Sequence, residues 1–195
     1  MIKLLTNPFE KYNENRLLLV GIVFLILGAI ACFQFNLLIF GSLKIINYQQ
    51  QHWYTALVNI SITILSNVFI LYVFARFRYV KTRWIDVLNV VLIAHIAVYI
   101  LLFLSGLPII IEAQRLIELE LMAGKDVQML HIPKMYTYIL GGFAVVAILL
   151  LIYFFYLTVV GMKIAMNSKT KKDQIWIILI LLIWNLILQF FNPFI

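Results

Sequence analysis

The chain has 195 residues, 65% of them apolar and only 12% charged, with a mean hydropathy of +1.04. A soluble domain carries about a quarter of its residues charged, and a disordered chain needs low hydrophobicity with high charge, so both classes are excluded. One cysteine, Cys32, excludes an intramolecular disulfide and a cysteine-clustered metal site, and a net charge of +7 asks what the basic residues face.

A helix crossing about 30 Å of hydrocarbon needs about 20 mostly apolar residues. The stretches between charged residues predict five such spans, over 17–35, 54–75, 86–106, 136–160 and 174–192. They are too long and too uniformly apolar for barrel strands, which alternate over about 10 residues. The expected fold is therefore an all-α bundle of five transmembrane helices. Residues 1–16 form a short N-terminal segment, and 17–195 form a single transmembrane domain. The first span is longer than the apolar core of a signal peptide and lacks a small-residue cleavage site, which predicts an uncleaved anchor.

Gly21, Gly28 and Cys32 line one small-residue face of the first span, the kind of surface that lets helices approach closely. Asn36 to Trp53 is more polar and is predicted to be a loop. Asn59, Thr63 and Ser66 fall at i, i+4 and i+7 in the second span, on one helical face. The third span opens at Asp86 and carries Asn89 and His95. Between it and the fourth lies the longest loop, 107–134, with Glu112, Glu118, Glu120 and Asp126. A short helix is predicted over Ile109–Ala123, stopped by Gly124, with an interfacial, re-entrant or capping role left open. Gly141 and Gly142 open the fourth span. Asn185 and Gln189 form an i, i+4 pair in the fifth, and Thr170-x-x-Asp173 fits a capping box at its start. Lys81–Asp86 and Lys169–Asp173 look alike, each a basic-Thr-basic loop closing on an aspartate; convergence on positive loops and ordinary caps is favoured over a duplicated hairpin.

Basic residues concentrate in loops that stay cytoplasmic. With the N-terminus inside, Lys3, Lys11, Arg16, Arg76, Arg78, Lys81, Arg83, Lys163, Lys169, Lys171 and Lys172 are inner, and only Lys44, Arg115, Lys125 and Lys134 are outer. Eleven against four predicts N-terminus in and C-terminus out. Topology and contact with anionic lipid headgroups account for the net positive charge, so no nucleic-acid partner is expected.

Ionisable groups within a span are costly and therefore functional candidates. Two qualify, Asp86 and His95. Asp86 reads as a helix-dipole partner and local ion pair with Arg83, and His95 as a neutral imidazole bonded to a neighbouring helix. Nine residues apart, they lie about 180° around the helix and cannot share one face. His52, His95 and His131 show no metal-ligand spacing, and there is no G-x-S-x-G or phosphate loop, so no catalytic residue, metal or cofactor is expected. Pro8, Pro108, Pro133 and Pro193 all lie outside spans or at their ends, which argues against the broken helices of a gated transporter.

Three stretches carry a family resemblance. They are Leu4-Leu5-Thr6-Asn7-Pro8-Phe9 ahead of the first span, Lys81-Thr82-Arg83-Trp84-Ile85-Asp86 running into Val87–Ala94, and Tyr156–Ala165 followed by Lys169–Lys172. With five spans over nearly the whole chain, it resembles the short bacterial branch of the Yip family of five-span membrane proteins. The resemblance implies the same N-in, C-out topology, residence in the bacterial inner membrane and no catalytic residue. Eukaryotic members are associated with Rab-type GTPases through long cytosolic N-terminal regions. The short segment here predicts no such partner, and the family's frequent third-span proline is replaced by Ala94-His95-Ile96-Ala97.

The function expected from the sequence is a non-enzymatic membrane-organising or interaction scaffold. Arg76, Arg78, Lys81, Arg83, Lys169, Lys171 and Lys172 would contact anionic lipid headgroups or another membrane protein. Asp86, His95, Asn59, Asn89 and Asn185 are the intramembrane polar candidates. The alternative is a small transporter or channel with a path near His95 and the Asn59/Thr63/Ser66 stripe. An enzyme using acids of the long loop is weaker.

Overall fold

The computed structural model describes residues 6–48, 52–122 and 133–190. After a 3-10 turn at Pro8–Glu10 come α1 (Glu14–Phe35), a hairpin of β1 (Leu37–Phe40) and β2 (Lys44–Asn47), α2 (Trp53–Arg78), α3 (Trp84–Ser105), α4 (Pro108–Met122), α5 (Lys134–Ala165) and α6 (Lys171–Phe190). Among the described residues, five of the six helices, α1, α2, α3, α5 and α6, are long and apolar enough to cross a membrane, and they occupy the five predicted spans. Helix α4 fills most of the segment expected to be helical between the third and fourth spans. Its expected stop at Gly124, together with Asp126 and His131, lies outside the described residues.

Helix α3 is the axis of the bundle. Two thirds of its apolar window is buried against 17% for α5, and it packs against α1, α2 and α5. The outer faces of the other helices are apolar because lipid, rather than water, is their solvent. Leu19, Ile26, Ile30, Phe69, Val145, Leu149 and Ile152 are all exposed. The small-residue face of α1 meets α3 in matched register. A Cβ at Gly21 would sit 2.6 Å from Leu92 Cβ, and one at Gly28 would sit 2.6 Å from the Tyr99 ring. Seven residues separate each pair, so the same ridge of α3 slots into the same groove of α1 twice.

The segment Asn36–Trp53 corrects the sequence reading. It is not simply a surface loop: a β-hairpin folds back between the helices. Asn36 ends α1 in the left-handed conformation at φ 52, reversing the chain. β1 then runs into the bundle with all four residues buried, touching α1, α2 and α6, while β2 returns antiparallel with Phe40 opposite Lys44. Strand pairing makes this possible, since backbone at membrane depth must find its hydrogen bonds inside the protein. Four strand residues reach about 13 Å.

Replacing Gly28 by Leu should destabilise the bundle by about 1–3 kcal/mol through overpacking against Tyr99. Gly142→Leu should be nearly neutral, because a Cβ there meets nothing within 4 Å. Unfolding of both variants in detergent, followed side by side, checks the contrast.

Candidate functional site

The tip of the hairpin sits in the middle of the bundle. His95 lies ten residues before the end of α3, about 15 Å along the helix, close to the reach of β1. Four side chains from four elements converge there: Ser42 at the tip, Asn67 on α2, His95 on α3 and Asn185 on α6. Each is buried to 2% exposure or less.

The hydrogen bonds form a closed ring with a fixed sense. Asn185 Oδ1 accepts the Ser42 backbone N–H at 2.5 Å. Asn185 Nδ2 donates to Asn67 Oδ1 at 3.1 Å and to Leu181 O at 2.8 Å. Asn67 Nδ2 donates to Ser42 Oγ at 2.9 Å, completing the circuit. His95 is attached to that ring: its Nε2 lies 2.9 Å from Ser42 Oγ, and its Nδ1 lies 2.7 Å from Val91 O. A carbonyl only accepts, so Nδ1 carries the proton. Nε2 then accepts from the Ser42 hydroxyl, and the imidazole is neutral. Its ring packs edge-on against Phe154, centroids 5.1 Å apart. Gly41 makes the approach possible, being at φ +60 with its Cβ position only 2.7 Å from Asn185 Oδ1.

His95 and Asn185 were candidates from sequence, and the fold brings them into one network. The Asn59/Thr63/Ser66 stripe divides differently. Asn59 and Thr63 are buried, but Ser66 Oγ donates to Thr63 O, and among the described residues none of the three bonds to His95. The residue that does belong is Asn67, four beyond Thr63 on the same face, which the i, i+7 choice of Ser66 passed over. Ser42 was hidden in the presumed loop. The signal for it was there: Leu-Leu-Ile-Phe between Asn36 and Gly41-Ser42 reads as a short buried strand bounded by turn residues.

At the end of the bundle where α1, α3 and α6 begin, the charged candidates divide into bonded arginines and aspartates and exposed lysines. Asp173 is buried and accepts from Arg78 Nη2 at 2.7 Å, Tyr79 Oη at 2.6 Å, Ser168 Oγ at 2.5 Å and Thr170 Oγ1 at 2.9 Å. Four donors to one carboxylate replace its lost hydration and tie the end of α2 to the start of α6. Arg83 bridges Asp86, at 2.7 Å and 3.0 Å, and Glu14, at 2.7 Å. Asp86 therefore sits at the mouth of its helix as an ion-pair partner rather than within the apolar span. Arg76 bonds the Val80 carbonyl. Lys81, Lys169, Lys171 and Lys172 are exposed and make no ion pair among the described residues. Asn89 is buried, with Nδ2 donating to Glu14 O at 3.2 Å. On α4, Glu118 and Glu120 lie about 200° apart around the helix, on different faces. Among the described residues no cluster of three or more metal-ligating side chains occurs.

No protein-family model, characterised protein or solved structure matches this chain.

Asn185→Leu would leave the Ser42 amide and Asn67 Oδ1 buried without partners, each costing about 1–3 kcal/mol. Ser66→Ala, outside the ring, should cost little. Unfolding by a denaturing detergent titration, with both variants in the same mild detergent, measures the difference.

Proposed function

We propose that the chain is a non-enzymatic five-span scaffold of the inner membrane, of the Yip type, with its N-terminus and the two basic loops in the cytoplasm. It would organise membrane through helix contacts and through anionic lipid headgroups held by basic side chains. The observation that supports this over transport is the use of His95. The residue on which a solute path would rest has both ring nitrogens bonded within the bundle, one to Val91 O and one to the Ser42 hydroxyl. The ring is a clasp between elements, and breaking it to admit a solute would orphan several buried polar groups at once.

The ion pairs also refine the lipid-contact set. Arg78 and Arg83 are committed to carboxylates and Arg76 to a carbonyl, which leaves Lys81, Lys169, Lys171 and Lys172 as the cations available to headgroups. Each lysine near an anionic surface contributes about 1 kcal/mol, roughly fivefold. The double change Lys81→Gln, Lys172→Gln should lower selectivity for brominated phosphatidylglycerol over brominated phosphatidylcholine by at least fivefold. The readout is quenching of a single remaining tryptophan, Trp84. Unchanged selectivity in correctly inserted protein would sink the lipid-contact reading.

A second reading rests on the Ser42–His95 pair itself. A hydroxyl donating at 2.9 Å to an imidazole whose other nitrogen is oriented by a carbonyl has the geometry of an activated nucleophile. Against it, the Ser42 N–H that would steady an oxyanion is already spent on Asn185. A fluorophosphonate probe decides between them. The scaffold reading expects no labelling of Ser42 in lipid bilayers, whereas labelling abolished by Ser42→Ala and His95→Leu would establish a hydrolase.

A further inference from the structure

Two cavities that share Tyr12 and Leu17 in their lining lie at the start of α1, and none of the four exposed loop lysines lines either of them. The first is a groove of about 680 Å³ between α1, α3 and α5, lined by Val20, Phe24, Ile93 and Leu157 together with Arg16 and Tyr12. That volume is within the range of about 300–1,000 Å³ usual for a small-molecule site. From Arg16 to Phe24 the groove runs about 12 Å along the helix, close to the roughly 15 Å of one leaflet's hydrocarbon. Arg16 makes no ion pair among the described residues.

The second cavity, about 220 Å³, is polar and is lined by Glu14, Arg83, Asp86 and Asn89. Arg83 offers one positive charge to two carboxylates, Glu14 and Asp86, so this cavity keeps an excess negative charge. Asn89, which lines it, carries an unanswered acceptor. Asn89 is 3% exposed, its Nδ2 is fixed on Glu14 O, and its Oδ1 has no partner. A buried carbonyl oxygen left so costs about 1–3 kcal/mol unless something donates to it.

We infer that these two cavities together bind one aminophospholipid of the phosphatidylethanolamine type. An acyl chain fills the groove beside Val20 and Phe24, the phosphate meets Arg16, and the ammonium enters the polar cavity to donate to Asn89 Oδ1 and the Glu14 and Asp86 carboxylates. The charge pattern selects the occupant. A zwitterion with phosphate and primary ammonium answers one free guanidinium on one side and a net negative, acceptor-rich pocket on the other. A trimethylammonium headgroup cannot donate a hydrogen bond, and a glycerol headgroup brings no positive charge. This site is separate from the surface lysines, and it survives if their contact with anionic lipid is disproved.

The test is native mass spectrometry of the full chain released from detergent, after equilibration with dioleoyl phosphatidylethanolamine, phosphatidylcholine and phosphatidylglycerol in equal amounts. Wild type should retain phosphatidylethanolamine over phosphatidylcholine by about tenfold, the value of one hydrogen bond to a charged group. Asn89→Leu should erase that preference. Val20→Trp, at an exposed position that tolerates bulk, should displace the bound lipid while leaving thermal unfolding unchanged. Equal retention of the ethanolamine and choline lipids would overturn the inference. Persistence of the ethanolamine preference in Val20→Trp would overturn it too, by placing the lipid elsewhere.

Discussion

Peptide groups placed at the depth of the hydrocarbon core must be hydrogen-bonded by the protein, because no water is there to do it. This chain places a hairpin at that depth, and the contact that makes it tenable is Ser42 N–H on Asn185 Oδ1. The rest of the interior follows from it. The strands pair with each other, the tip needs a glycine at positive φ, and the tip hydroxyl needs both a donor and an acceptor. Asn67 and His95 supply those, and Val91 O then fixes the imidazole tautomer. Remove the amide on α6 and the Ser42 N–H and Asn67 Oδ1 are left bare at that depth.

The five helices were legible because their signal is compositional. Long apolar runs between charges in a chain this poor in charge have one solution. The small-residue face of α1 was legible for a related reason, since Gly21 and Gly28 leave a groove whose partner only the fold identifies as Leu92 and Tyr99. The hairpin was obscured by the same composition. In a sequence dominated by apolar stretches, Leu37–Phe40 reads as the tail of one span or the edge of a loop, and nothing local says that it turns inward. Asn67 was missed because helical phase admits both i+7 and i+8 from Asn59, and only a neighbour at the right depth chooses between them. His95 and Asn185 were found as polar residues in apolar surroundings, but their partnership spans elements far apart in sequence and could not be read from spacing.

The charged end of the bundle illustrates how formal charge overstates what is available. The basic loops have the composition of an electrostatic surface, yet Arg78 and Arg83 are held by Asp173, Asp86 and Glu14. Those pairs are architectural. Asp173, at the start of α6, gathers donors from the end of α2 and from the turn before α6, so one carboxylate fixes the geometry of two helix ends. The two loops that look alike in sequence use their aspartates differently, one buried under four donors and the other at the surface beside a single arginine. Their likeness therefore does not extend to their interactions.

The ring at the hairpin tip also imposes an order on biogenesis. Ser42 and Asn185 are 143 residues apart, and the helix carrying Asn185 is the last of the five to be made. At about 5–20 residues per second of synthesis, roughly 7–30 s pass between the two. Throughout that interval the hairpin has no capping amide, and it cannot complete its seat in hydrocarbon without leaving a peptide N–H bare. The first three spans must therefore wait in a looser arrangement, with the hairpin near the aqueous face or sheltered by the insertion machinery. Arrival of α6 is the step that closes the molecule.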